Sequence, residues 1–247
     1  MLSVHDLSVT FGVVRAVDSV SLSVPAATLV GLIGPNGAGK TTTIDAITGF
    51  VPHQGRITFD GVDLTSAPPH KRALAGVART WQSLELFDDL TVKENCRVAA
   101  ERPTVGRTLR ELIGGLSVPI QSEVQDALEL VGLAELSDRY PGELSLGQRK
   151  LAAVARALAS WPRALLLDEP AAGLDSKESR QLGRRIRQIV DRGIGVMLVD
   201  HDMGLVLSVC DVLHVLEFGR VIASGTPSEI RADPRVIDAY LGEMARP

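Results

Sequence analysis

The stretch GPNGAGKT, Gly34 to Thr41, stands between an apolar run, LVGLIG, and a segment of helical character, KTTTIDAITGF. A glycine loop between a buried strand and a helix constrains the fold more than any other feature, because it commits the chain to strand–loop–helix units. The pattern is G-x-x-x-x-G-K-[ST]. Gly34, Gly37 and Gly39 let backbone N–H groups turn inward around phosphate oxygens without Cβ clashes, and Pro35, Asn36 and Ala38 complete the loop. Lys40 reaches β- and γ-phosphates as a compact charge, Thr41 ligates Mg²⁺, and Thr42 adds a hydroxyl contact.

A bound triphosphate also calls for a metal carboxylate. The segment ALLLDEP supplies one at the end of an apolar strand: Asp168 for Mg²⁺, and Glu169 beside it to polarise an attacking water. Two acids at a strand end are a weak sign alone; following a phosphate loop they point to nucleoside triphosphate hydrolysis. A second anion site is written in GELSLGQRK. Ser145 caps a helix start and Gln148 reaches back in a capping box, leaving a helix N-terminus with small residues and a partial positive charge.

Around these motifs the chain divides by grammar. LSVHDLSVTF and VDSVSLSV alternate with period two, and GRITFDGVDL repeats the pattern, so a small antiparallel sheet opens the fold. ALLLD and GVMLVD are continuous apolar runs suited to parallel strands covered on both faces. Between roughly 88 and 160 strand signals vanish. SEVQDALELVG is typical there, with Ser122 as the expected cap, Val124, Ala127, Leu128 and Val131 on one face, and Gly132 as a stop. Near the end, Thr226, Pro227 and Glu229 spell another capping box. The expectation is one domain over 1–247: an α/β core with its antiparallel part over 1–87 and 161–247, and a helical insertion over 88–160.

Composition narrows the function classes. At 247 residues, 45% hydrophobic and 23% charged, the chain has material for a sizeable core. A net charge of −4 with no basic block argues against nucleic acid as a partner. Cys96 and Cys210 lie far apart, without neighbours at metal spacing, and read as plain buried thiols. No apolar run nears the roughly 20 residues that span a bilayer, and the start lacks a signal-peptide pattern. The expected location is cytoplasmic, with any membrane role exerted through a partner.

The order of these elements resembles the ATP-binding cassette (ABC) ATPases. The phosphate loop is followed by Gln82 in TWQSLELFDD, by LSLGQ (144–148), by LLLDEP (165–170), by AAGLD (171–175) and by His201 in VDHD. The resemblance implies a RecA-like P-loop NTPase fold with ATP and Mg²⁺ as cofactors. It also implies a head-to-tail dimer in which Ser145, Gly147 and Gln148 of one subunit grip the γ-phosphate held by its partner. By the same resemblance Gln82 touches Mg²⁺ or the lytic water, His201 contacts the γ-phosphate, Asp175 reaches across the dimer, and Phe11 stacks on adenine. Leu146 stands where the family usually has glycine, while Gly147 is kept.

GVARTWQSLELFDDLTVKENCRVA and the C-terminal VDHDMGLVLSVCDVLHVLEFGRVIASGTPSEIRADPRVIDAYLGE resemble the ATPases of branched-chain or hydrophobic amino-acid importers. Urea and amide importers share this wording, and a non-transport ABC ATPase is the other alternative. The implied partners are transmembrane permease subunits, a second ATP-binding subunit (identical or closely related, with a lean to a heterodimer) and, indirectly, an external solute-binding protein. The implied place is the cytoplasmic face of the cell membrane.

Overall fold

The computed structural model describes residues 1–101 and 120–244. It forms two compact units, one comprising Met1–Gln82 with Arg163–Pro247, the other Ser83–Pro162. The second unit, Ser83–Pro162, follows the short core strand that ends at Arg79, beside the expected helical stretch of 88–160.

Alternation near the N-terminus becomes β1 (Leu2–Phe11) and β2 (Val14–Val24), which pair antiparallel. With β4 (Gln54–Phe59) and β5 (Val62–Asp63) they make a four-stranded sheet in the order β2-β1-β4-β5. Leu2, Val4, Leu7 and Val9 are buried along β1.

A second sheet has six strands in the order β10-β9-β3-β8-β7-β6. Its members are β3 (Leu29–Ile33), β6 (Val77–Arg79), β7 (Ala164–Asp168), β8 (Gly195–Val199), β9 (Val212–Glu217) and β10 (Arg220–Gly225). Every residue of β3, β7 and β8 is buried, which is why these segments are apolar without alternation. All neighbouring pairs from β9 to β6 are parallel; β10 alone runs antiparallel, on β9. The parallel strands thus bring their carboxyl ends to one edge, where open α/β sheets build their sites.

Helix α1 (Lys40–Thr48) lies in a core shared by both sheets, with Ile44 and Ile47 clustered among Leu7, Val30, Leu32, Phe59 and Met197. The unit also holds α2 (Pro69–Ala75) and, later in the chain, α6 (Ser176–Asp191), α7 (Met203–Val209), α8 (Pro227–Ala232) and α9 (Pro234–Met244). Thr226 and Glu229 form the expected capping box on α8.

In the second unit the described helices are α3 (Val92–Ala100), α4 (Ile120–Val131) and α5 (Leu146–Leu158), each packed on the other two. The expected stripe on α4 is buried at Val124, Ala127, Leu128 and Val131, and Gly132 ends it at φ 75°. Ser122 does not cap that helix: α4 already begins at Ile120, so Ser122 falls in its first turn. The part of the expected helical stretch over 102–119 lies outside the described residues. Cys96 and Cys210 are both buried free thiols, and burial pushes each up to about 12. Among the described residues no helix is long and apolar enough to cross a membrane.

Candidate active site

The loop after β3 is shaped by two glycines that admit no side chain. A Cβ on Gly34 would stand 2.0 Å from the Leu216 carbonyl oxygen, and one on Gly39 would stand 2.4 Å from that of Ala16. Gly39 is also the N-cap of α1, at φ 99°, and as a glycine it places no capping side chain over the first-turn N–H groups. Lys40 is buried and folds back into the loop, its Nζ donating to the carbonyls of Gly34 at 2.7 Å and Pro35 at 2.9 Å. Asn36 and Gly37 are exposed on the loop, Ala38 is buried beneath it, and Thr42 is partly covered. The β9–β10 turn braces the loop from below, with Gly219 N–H donating to the Ala38 carbonyl at 3.0 Å.

β7 carries the carboxylates to the same edge. The Thr41 hydroxyl donates to Asp168 Oδ1 at 3.4 Å. Asp168 is 2% exposed, and its Oδ2 receives no hydrogen bond although Arg79 Nη2 approaches to 3.5 Å. Burial pushes this carboxyl up to about 6; Arg79 pulls it down, while Glu169 and Asp45 push it further up. A buried oxygen lacking a donor beside a threonine hydroxyl suits a hard cation that takes oxygen ligands, so the residues fit Mg²⁺. Among the described residues no cluster of three or more His, Cys, Asp or Glu could hold a metal alone. A cation here would therefore draw the rest of its shell from phosphate and water.

Glu169 sits at φ 48°, in the left-handed region, with its N–H on the Val199 carbonyl at 2.7 Å. Such a conformation is costly for a non-glycine residue and persists only where the surroundings enforce it. Its carboxylate accepts a 2.7 Å hydrogen bond from Gln82 Nε2, which follows β6 and is exposed. His201 follows β8 with its side chain 61% exposed, its Nδ1 lying 3.9 Å from Asp200 Oδ1.

The remaining expected residues are placed as follows. Phe11 ends β1 and is half exposed. Asp175 caps α6, accepting from the N–H groups of Lys177 at 2.7 Å and Glu178 at 2.8 Å, and these bonds hold its carboxyl below the usual range. In the helical unit, Ser145 and Gln148 make the reciprocal capping box on α5, and Gly147 lies in the first turn.

Two charged side chains at this sheet edge lie outside the site residues read from the sequence. Asp200 accepts from the Ala171 N–H and, through its other oxygen, from the Asp202 N–H, both at 2.9 Å, tying the segment after Glu169 to the turn that carries His201. Asp202 then caps α7 and accepts from the Ser179 hydroxyl at 2.6 Å. Arg79, at the end of β6, is the other. An ionisable residue inside an otherwise apolar strand context was the available signal in both cases.

Comparison with known proteins identifies the family. The ABC transporter family model matches residues 17–172, and a branched-chain amino acid ATP-binding cassette transporter model matches 220–246. The chain is 40% identical over 258 residues to the high-affinity branched-chain amino acid transport ATP-binding protein BraF of Pseudomonas aeruginosa, covering 98% of each. It is 39% identical to LivG, the corresponding protein of Escherichia coli K12, again over 98% of each. Among solved structures, an ATP-binding cassette of an ABC transporter in its ADP conformation superposes with a TM-score of 0.86 at 32% identity, over 98% of this chain and 99% of that one. A phosphate loop, a carboxylate pair at the end of a parallel strand and these full-length likenesses have one meaning: the chain belongs to the ABC transporter family of ATP-binding cassette ATPases.

Proposed function

We propose that this chain hydrolyses ATP to power an importer of branched-chain or other hydrophobic amino acids. The observation that carries the catalytic reading is the meeting, at one sheet edge, of the Lys40 loop, Thr41 against Asp168, and Gln82 against Glu169. The C-terminal match over 220–246 and the full-length similarity to BraF and LivG support the cargo class.

Lys40 and the loop N–H groups bind the β- and γ-phosphates of ATP. Thr41 and Asp168, with Gln82, hold Mg²⁺, which when bound neutralises phosphate charge. Glu169 takes a proton from water as the water oxygen bonds to the γ-phosphorus and the bond to the β–γ bridging oxygen breaks, releasing ADP and phosphate. Gln82 now occupies the Glu169 carboxylate, so it must yield or share that oxygen with the water. His201 donates to the γ-phosphate, and Phe11 stacks on the adenine. In a head-to-tail pair, the α5 N-terminus with Ser145, Gly147 and Gln148 faces the partner's γ-phosphate, and Asp175 reaches across the interface. The working assembly joins this dimer to transmembrane permease subunits at the inner membrane face.

Copurification from detergent-solubilised membranes tests the reading. Capture of multi-spanning subunits, with ATPase activity stimulated by a branched-chain amino acid and its binding protein, is expected. The chain is also 37% identical to the lipopolysaccharide export ATP-binding protein LptB of Escherichia coli. Recovery of exporter components, or of soluble partners only, would overturn the importer assignment.

A further inference from the structure

Arg79 is the last residue of β6, paired in register with Leu166 of β7. Its side chain is 6% exposed and gathers groups from three parts of the core. Nη1 lies 2.6 Å from Asp45 Oδ1 and 3.3 Å from the Thr48 hydroxyl, both on α1, the helix that starts at Lys40. Nη2 lies 3.5 Å from Asp168 Oδ2, the oxygen without a hydrogen-bond donor. The guanidinium carbon sits 3.8 Å from the Trp81 ring centroid and 5.7 Å from that of Phe50. Those two rings meet edge to face, with centroids 4.8 Å apart at 76°. Trp81 is followed directly by Gln82.

One buried cation therefore touches the phosphate-loop helix, the metal carboxylate and the residue before Gln82. We propose that Arg79 is a positioning residue that couples the occupancy of the Asp168 site to the Gln82 turn through its stack on Trp81. It rests on the assignment of Asp168 and Gln82 to the metal–nucleotide site. Arg79 faces two carboxylates, Asp45 and Asp168, and holds only the first at hydrogen-bonding distance. A divalent cation on Asp168 takes over the looser contact, leaving the guanidinium to Asp45 and the rings, and the change in its position is felt at Trp81. A planar fork is needed for this: lysine keeps the charge but cannot bridge two carboxylates while lying flat on an indole.

The test uses full-length protein carrying Trp161→Phe, so that Trp81 is the only indole reporting. With saturating ADP, Mg²⁺ titration is expected to change Trp81 emission, and Arg79→Lys to shift the Mg²⁺ midpoint at least tenfold. ADP affinity in EDTA should change less than twofold, which separates positioning from general damage. A midpoint within twofold of the parent in Arg79→Lys overturns the inference. So does a silent Trp81 in the Trp161→Phe parent while Mg²⁺ tightens ADP binding. Asp168→Asn distinguishes the failures: if it too leaves the midpoint unmoved, the site assignment has failed; if it alone raises the midpoint, only the role of Arg79 has. Should Arg79→Lys show no cooperative thermal transition, Trp81→Leu keeps the guanidinium and its ion pairs. Read with a fluorescent nucleotide, it is expected to raise the Mg²⁺ midpoint at least threefold, and an unchanged midpoint overturns the coupling.

Discussion

Gln82 Nε2 and Glu169 Oε2 are joined by a 2.7 Å hydrogen bond, although 87 positions separate them in the chain. The bond satisfies one oxygen of the carboxylate proposed to activate water, and Glu169 is held for it in a left-handed backbone conformation. In the proposed function, Gln82 holds this carboxylate oxygen until nucleotide and water take its place.

Glu169→Gln removes the proton acceptor and keeps the shape. Nucleotide affinity should stay within about threefold while phosphate release falls at least about a hundredfold, the lower range for loss of a general base. Equilibrium binding of a fluorescent ATP analogue alongside a steady-state phosphate assay checks both halves. Normal turnover would remove Glu169 from the chemistry.

Gly39→Ala addresses the loop itself. The added Cβ meets the Ala16 carbonyl at 2.4 Å, and alanine must also adopt φ 99°. Backbone cannot retreat as a flexible side chain would, so a loss of more than about 2 kcal/mol is expected in urea unfolding. A midpoint equal to the parent's would show that the loop rearranges without cost.

Asp18 braces the β9–β10 turn beneath the phosphate loop, accepting from Arg220 Nε at 2.7 Å and Arg15 Nη1 at 2.9 Å. The Arg220 bond, followed by that from Arg15, holds its carboxyl below the ordinary value of 3.8. A lowered folded-state value means stability that is present above 3.8 and lost as pH falls through the folded value. Asp18→Asn should therefore unfold earlier than the parent at neutral pH, with the gap closing in acid below that value. Thermal melts across pH check this; a gap that widens in acid would contradict the assignment.

Ser145→Asp separates capping from catalysis. Aspartate is as good an N-cap as serine, so stability should hold within about 0.5 kcal/mol. If the α5 N-terminus meets a partner's γ-phosphate, the added negative charge should lower hydrolysis at least about tenfold. Unchanged turnover at full dimer concentration would confine Ser145 to its cap.

The strand–loop–helix unit at Gly34–Thr41, the buried runs of β3, β7 and β8, and the capping boxes at Ser145 and Thr226 were legible in the sequence. Each depends on a few neighbouring residues: burial on both faces, a φ only glycine takes readily, or a side chain returning to an N–H three positions on. Ser122 misled because a polar residue in a first turn looks locally like a cap. β6 escaped notice because three residues carry no periodicity; it is a strand only by lying against β7. The sequence brought Thr41 and Asp168 to one metal; only the tertiary structure gave the direct contacts, Thr41 on Asp168 across 127 positions and Gln82 on Glu169. Tertiary structure alone decided that Arg79 lies between two carboxylates and two rings, and that Asp200 ties the His201 turn to the segment after Glu169. Strand order sets these meetings. Buried charges gain their partners only when parallel strands stop at the same edge of a sheet, and no local pattern encodes which strands those will be.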